Sequence, residues 1–164
     1  MDLLVKEIMQ RNVHTIAPWV TLPELEQALL KERVSGFPVV DKGKLAGIVS
    51  RSDIVRQLFL EHHVAESTSD FYFDDSGFHE NPLVTFEQIA DRVGERIEQL
   101  QVKDVMSRTL VTVSPDQPLS QVAQTMTDRR IHRVLVGEEG RLLGLVTALD
   151  LVGLIANGRL QADH

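Results

Sequence analysis

The sequence predicts an α+β fold of two β-α-β-β-α repeats joined by a linker helix. Three observations carry this. Shifted by 97 residues, the chain lies on itself: residues 5–55 align with 102–152 without a gap, and sixteen of the 51 pairs are identical. Each copy alternates short apolar runs with apolar stripes at helical spacing. Each copy also closes on the same pattern, Gly47-Ile48-Val49-Ser50-Arg51-Ser52-Asp53 and Gly144-Leu145-Val146-Thr147-Ala148-Leu149-Asp150. An apolar strand there runs into a helix, with a hydroxyl and a carboxylate three residues apart. A repeat of about 50 residues buries too little surface to be stable alone, so two copies sharing a core are expected.

The elements follow in order. Leu4, Val5, Ile8 and Met9 are spaced for a short helix over 3–9, which Asn12 breaks. Val13 to Ile16 reads as a strand, stopped before Pro18. Thr21-Leu22-Pro23-Glu24 has the form of a capping box, in which the threonine bonds forward and the glutamate back. Leu22, Leu25, Ala28 and Leu29 then share one helix face. Phe37 to Val40 is a strand, and Asp41-Lys42-Gly43-Lys44 is a hairpin turn with its glycine where positive φ is needed. Leu45 to Val49 is the return strand. A second helix runs from Ser50 to about Leu60, with Ile54, Val55, Leu58 and Phe59 apolar.

The second copy repeats this order. Leu110 to Val113 is a strand, and Leu119, Val122, Ala123 and Met126 mark a helix face. Val134 to Val136 and Leu142 to Val146 form a hairpin around Glu138-Glu139-Gly140, and a last helix carries Leu149 to Ile155. The chain thus divides into repeat 1 (1–60), an acidic loop and linker helix (61–101) and repeat 2 (102–164). In the middle segment, 61–84 reads as a surface loop whose aromatics Phe71, Tyr72, Phe73 and Phe78 anchor it or form a lid. Phe86, Ile89, Ala90, Val93, Ile97 and Leu100 make a helical stripe for a core or dimer contact, with Thr85 to Gln88 as its cap.

Composition narrows the function. The net charge of −7 sits almost wholly in 61–101, which has ten acids and two bases; the remainder nets +1. A nucleic-acid partner is not expected, because such a binder needs a basic face. The chain has no cysteine, which removes disulfides, thiolate metal sites and thiol nucleophiles. The N-terminus lacks a basic run followed by an apolar one, and no stretch approaches a membrane span, so a cytoplasmic protein without a membrane role is expected. There is no nucleophile elbow, no phosphate loop of the Walker type and no carboxylate cluster at metal spacing, so neither catalysis nor a metal is expected. His62, His63 and His79 stand among acids, but their spacing suits a solvated loop rather than a metal site. Trp19 reads as packing or as part of an interface.

The duplicated Val-Lys-(Glu/Asp)-(Ile/Val)-Met starts at 5–9 and 102–106, the repeated element order and the paired Gly-h-h-(Ser/Thr)-x-x-Asp ends together resemble a tandem CBS (cystathionine-β-synthase) domain pair, or Bateman module. The resemblance covers 5–60 and 102–157. It implies repeats packed sheet to sheet with pseudo-two-fold symmetry, and two clefts between them for an adenosine-containing ligand: AMP, ADP, ATP or S-adenosylmethionine. By that resemblance Asp150 with Thr147, and Asp53 with Ser50, hold the ribose or phosphate. His132 and Arg133 resemble a phosphate-binding pair of the kinase-regulating members. Ile131, Val34 and Ser35 lie in segments resembling those that flank adenine, and Gln10 and Ser107 occupy positions near the base.

The first copy has Ser35-Gly36 in place of His132-Arg133, so the Thr147/Asp150 site is expected to be the better one. The physical logic stands independently, since a carboxylate offers acceptors to a cis-diol and a helix N-terminus offers N–H groups to a phosphate. Ser/Thr-x-x-Asp is also a plain helix cap, and each Asp can serve both ways. The resemblance implies a regulatory module with an adenine nucleotide as its ligand, no required cofactor, a homodimer and a separate effector protein. The alternatives are a scaffold with ligand-free clefts or an S-adenosylmethionine binder.

Overall fold

The computed structural model describes the backbone of residues 3–69, 71–74, 77–80 and 86–159, and side chains over 3–63 and 91–159. The elements are α1 (Leu22–Glu32), β1 (Gly36–Asp41), β2 (Lys44–Ser50), α2 (Arg51–Ser69), β3 (Phe71–Asp74), β4 (Gly77–Glu80), α3 (Phe86–Gln99), α4 (Val102–Val105), β5 (Thr112–Val113), α5 (Leu119–Arg129), β6 (Arg133–Glu138), β7 (Arg141–Thr147) and α6 (Ala148–Ala156). The fold is α+β, as the sequence predicts.

Local chemistry places these elements where the sequence expects them. Thr21 and Glu24 form the capping box: the Glu24 amide donates to Thr21 Oγ1 at 3.4 Å and the Thr21 amide to Glu24 Oε2 at 2.9 Å. In each hairpin turn both central residues have positive φ, Lys42 and Gly43 at 49° and 78°, Glu139 and Gly140 at 50° and 77°. That is the twist a two-residue connection needs. The cap residues of α1 and α5, Arg33 and Arg130, are also left-handed, with φ of 54° and 53°. The repeat is therefore copied in the backbone as well as in the residue types.

Three segments differ from the sequence expectation. The helix expected over 3–9 is a single 3-10 turn at Val5–Glu7, and its counterpart α4 has four residues. The strand expected over 13–16 is reduced to one parallel bridge between Ile16 and Val39; the matching β5 is two residues long. The largest difference lies at 61–84. The second helix passes Leu60 and continues to Ser69, and β3 and β4 pair antiparallel with Phe71 opposite Glu80 and Asp74 opposite Gly77. No glycine or proline interrupts 51–76, so nothing ends α2 early, and the aromatic run has strand propensity. The side chains of His79 and of the aromatics at 71–78, and the cap expected at Thr85, lie outside the described residues.

The chain forms two compact units that do not coincide with a simple cut between repeats. The first contains 1–14, 42–45 and 109–164; the second contains 15–41 and 46–108. Each unit holds the body of one repeat together with the lead-in segment of the other. The first core is built on Val5, Met9, Val113, Leu119, Val122, Met126, Val134, Val136, Val146 and Leu154. The second is built on Ile16, Leu22, Leu25, Leu29, Phe37, Val39, Val49 and Val102. Every member of the second core has its counterpart 97 residues away in the first. Val5 and Val102 are both fully buried, each in the unit built on the other repeat's body.

Backbone hydrogen bonds fix these exchanged segments. In the first unit, Val5 and Lys6 N–H donate to Gln117 and Pro115 carbonyls at 3.0 and 2.9 Å. In the second, Val102 and Lys103 donate to Val20 and Pro18 at 2.8 and 2.9 Å. Val93 is buried, and Ile97 and Leu100 pack on the second core, so the described part of the α3 stripe is a core contact.

Candidate functional site

The strand-to-helix junctions organise one candidate site in each unit. In the first, β7 ends at Thr147 and α6 begins. The Thr147 amide and hydroxyl both donate to Asp150 Oδ2 at 2.8 Å, and the Asp150 amide donates back to Thr147 Oγ1 at 3.2 Å. The plain-cap reading is thus realised in full, yet it consumes chiefly one carboxylate oxygen. The other, Oδ1, accepts from Gln10 Nε2 at 3.0 Å.

Gln10 arrives there because the lead-in segment bridges to β7. Gln10 N–H donates to the Leu145 carbonyl at 2.9 Å and Leu145 N–H donates back at 3.0 Å. The approach requires a glycine beside it. A Cβ on Gly144 would lie 2.7 Å from the Gln10 carbonyl oxygen and 3.0 Å from Met9 Sδ. Arg133 stands opposite Thr147 in the β6–β7 ladder, and the carbonyl of His132 accepts from the Ala148 amide at 2.8 Å. His132 and Arg133 are exposed, and Ile131 is half-buried against the core. Gln10, Ile131, His132, Arg133, Thr147 and Asp150 therefore lie in one compact unit, around the N-terminus of α6.

The second unit repeats the plan with different side chains. Ser107 and Ile48 exchange backbone hydrogen bonds of 2.9 Å in both directions. Gly47 makes room for this, since a Cβ there would lie 2.7 Å from the Ser107 carbonyl oxygen. The Ser50 amide and hydroxyl donate to Asp53 Oδ2 at 2.8 and 3.0 Å. Here Oδ1 is held by a charge: Arg56 Nη1 donates to it at 3.1 Å. Asp53 is only 8% exposed, whereas Asp150 is half-buried. Val34 packs on the second core, and the Ser35 carbonyl accepts from the Arg51 amide at 3.0 Å. The carboxylate of the first unit is thus held by a neutral amide and that of the second by a guanidinium.

Arg56 was not among the sequence candidates, although the i, i+3 spacing from Asp53 on a helix carries that pairing. Among the described residues there is no cluster of His, Asp and Glu able to hold a metal, and no helix is long and apolar enough to cross a membrane. Trp19 is exposed.

Comparison with known proteins agrees with this architecture. The CBS domain family model matches residues 5–60 and 102–157. The protein MJ1426 of Methanocaldococcus jannaschii is 31% identical over 158 residues, covering 92% of this chain and 89% of its own length. MJ1225 of the same organism is 25% identical over 93% of this chain, which spans only 43% of that relative. The crystal structure of MJ1225, a proposed archaeal homologue of g-AMPK, superposes with a TM-score of 0.71 at 19% identity, over 94% of this chain and 48% of that one. The CBS domain pair of MJ0100, solved with 5′-methylthioadenosine and S-adenosyl-L-methionine, gives a TM-score of 0.60 at 22% identity over 96% and 99% of the two chains. With both family matches falling on the two repeats whose cores and cap motifs correspond pair by pair, the chain belongs to the CBS-domain family and carries two copies of the domain.

Proposed function

We propose that the protein is a regulatory module that binds an adenosine-containing ligand, AMP, ADP or ATP, at the Thr147/Asp150 site and more weakly at the Ser50/Asp53 site. The observation that carries this is the state of Asp150. Its Oδ2 is fixed by the α6 cap, while its Oδ1 is met, among the described residues, by the neutral and exposed amide of Gln10, which also reaches Oδ2. A ribose cis-diol needs a fixed carboxylate with acceptor capacity left over, and this one has it. The N-terminus of α6, with His132 and Arg133 beside it, suits the phosphate end. Ile131, half-buried against the core, is assigned to the base. At Asp53 the diol would have to compete with the Arg56 guanidinium, which makes that site the weaker one.

Regulation follows from differential affinity of the ligand for two arrangements of the protein. The ligand acts as an effector rather than as a resident cofactor, and the output passes to a separate effector protein or through the assembly of copies. We assign a homodimer on the apolar faces of two helices: Val55, Leu58 and Phe59 on α2, and Leu149, Val152 and Ile155 on α6, are all exposed. A second reading, S-adenosylmethionine as the ligand, is favoured by the complex known for the MJ0100 pair.

Titration calorimetry on ligand-free protein with adenosine, AMP, ADP, ATP and S-adenosylmethionine tests both readings. Binding of the first four, weakened by Asp150→Ala, supports the nucleotide reading, and binding of the last alone supports the second. No heat with any of them overturns both and leaves a scaffold.

A further inference from the structure

We propose that Arg56 is a built-in competitor that sets the ligand threshold of the Ser50/Asp53 site, and that position 56, with its repeat counterpart 153, governs the gap in ribose affinity between the two sites. The inference rests on the nucleotide reading of the two caps and adds what regulates the weaker one.

The two caps agree in what the main chain and the hydroxyl do. Asp53 Oδ2 accepts from the Ser50 amide and hydroxyl at 2.8 and 3.0 Å, and Asp150 Oδ2 accepts from the Thr147 amide and hydroxyl at 2.8 Å. The main difference lies at Oδ1. In the first unit it accepts from Gln10, a neutral amide that reaches in from the lead-in segment. In the second it accepts from Arg56 Nη1 at 3.1 Å, from the next turn of the same helix.

A guanidinium is a stronger donor to a carboxylate than a neutral amide, so a sugar hydroxyl displaces Gln10 more readily than Arg56. The displacement remains feasible. The Arg56 side chain is 67% exposed against 10% for Asp53, so the freed guanidinium passes straight into water. Arg56 therefore raises the ligand concentration at which the second site fills, without sealing it. The first site answers at low ligand and the second at high ligand, which gives the module two thresholds.

The repeat supplies an internal comparison. The residue 97 positions after Arg56 is Gly153. It follows Asp150 on α6 by the same three residues that separate Arg56 from Asp53 on α2. A Cβ on Gly153 would meet nothing within 4 Å, so the start of an arginine side chain fits there. A helix interior also accepts arginine better than glycine, and the i, i+3 spacing brings the guanidinium to the carboxylate. The first site is open at the position where the second carries its competitor.

Calorimetry on the full chain with adenosine tests this, because a ligand without phosphate leaves His132 and Arg133 out of the comparison. Arg56→Gln should strengthen the weaker site about fivefold. Gly153→Arg should weaken the stronger site about fivefold, while Gly153→Ala, which changes the backbone preference without adding a guanidinium, should stay within about twofold. Salt gives an independent readout. Adenosine is neutral, so added salt should raise the affinity of the weaker site in the wild type by screening Arg56 from Asp53, and should not do so in Arg56→Gln. A second binding event that appears only in Arg56→Gln also supports the competitor. An unchanged weaker site in Arg56→Gln, a loss in Gly153→Ala equal to that in Gly153→Arg, or the same salt response in the wild type and Arg56→Gln overturns it. If adenosine binds at the Thr147/Asp150 site and Arg56→Gln changes nothing, the nucleotide reading stands and the competitor alone falls. No adenosine heat from any of these proteins removes both.

Discussion

The side-chain amide of Gln10 lies 3.0 Å from one carboxylate oxygen of Asp150 and 3.1 Å from the other, across 140 residues of chain. This contact joins the lead-in segment of one repeat to the helix cap of the other. It makes the ribose-binding candidate a product of both.

Asp150→Asn is expected to weaken adenosine binding about tenfold, because a charged acceptor becomes a neutral one, while the amide oxygen retains much of the α6 cap. Asp53→Asn should reduce the total affinity less than about threefold, since Arg56 already occupies that carboxylate. Calorimetry with adenosine decides between them. A larger loss at Asp53 would reverse the order of the two sites.

Gly144→Ala and Gly47→Ala should each destabilise the fold by about 1–3 kcal/mol, as overpacking against backbone does. The added carbon meets the Gln10 or Ser107 carbonyl at 2.7 Å, and those oxygens are locked in two-way backbone pairs. Urea unfolding measures the loss. Hydrogen exchange should rise at the amides of Gln10 and Leu145 in the first variant, and of Ser107 and Ile48 in the second.

Acid should loosen the contact between α2 and α3. The Arg96 guanidinium beside Glu61 holds that carboxyl below the ordinary glutamate range against the opposing effect of burial, with Gln57 as a further donor. A carboxyl whose folded value is depressed contributes stability that is complete above its unfolded value, about pH 4.3, and is lost as pH falls below that through the folded value. Urea midpoints of the wild type should drop across that window. Glu61→Gln should show a shallower drop and lose about 1–2 kcal/mol at neutral pH. Identical acid slopes in the two proteins would remove the role of this pair.

Phe59→Glu together with Ile155→Glu is expected to convert a dimer into a monomer in sedimentation velocity, with the folded structure retained by circular dichroism and the melting temperature losing its dependence on protein concentration. Both side chains are largely exposed, at 76% and 64%, so their replacement disturbs no core. A monomeric wild type at micromolar concentration would remove the dimer assignment.

The repeat, the capping boxes and the two hairpin turns were legible because each is written in local residue chemistry. Thr21 with Glu24, and Lys42 with Gly43, act within four residues of each other and need no tertiary context. The extension of α2 to Ser69 was less legible, since the polar run 61–69 lacks an apolar stripe of its own. Only the absence of glycine and proline pointed to a helix there. The hairpin of β3 and β4 is hidden in the sequence because its aromatics compete with a strongly acidic composition.

The sequence by itself determined that two equivalent repeats exist, which residues form the apolar faces of each, and which hydroxyl and carboxylate cap each final helix. It did not determine which lead-in segment belongs to which body. Val5 and Val102 are the same residue in the same pattern, so docking on the repeat's own body or on the other satisfies an identical apolar socket and identical backbone partners. Tertiary structure made the choice, placing Gln10 on Asp150 and Ser107 beside Ile48. It also left Asp53 tied to Arg56. These contacts depend on chain path and side-chain direction in space, which a repeating pattern of residue types does not specify.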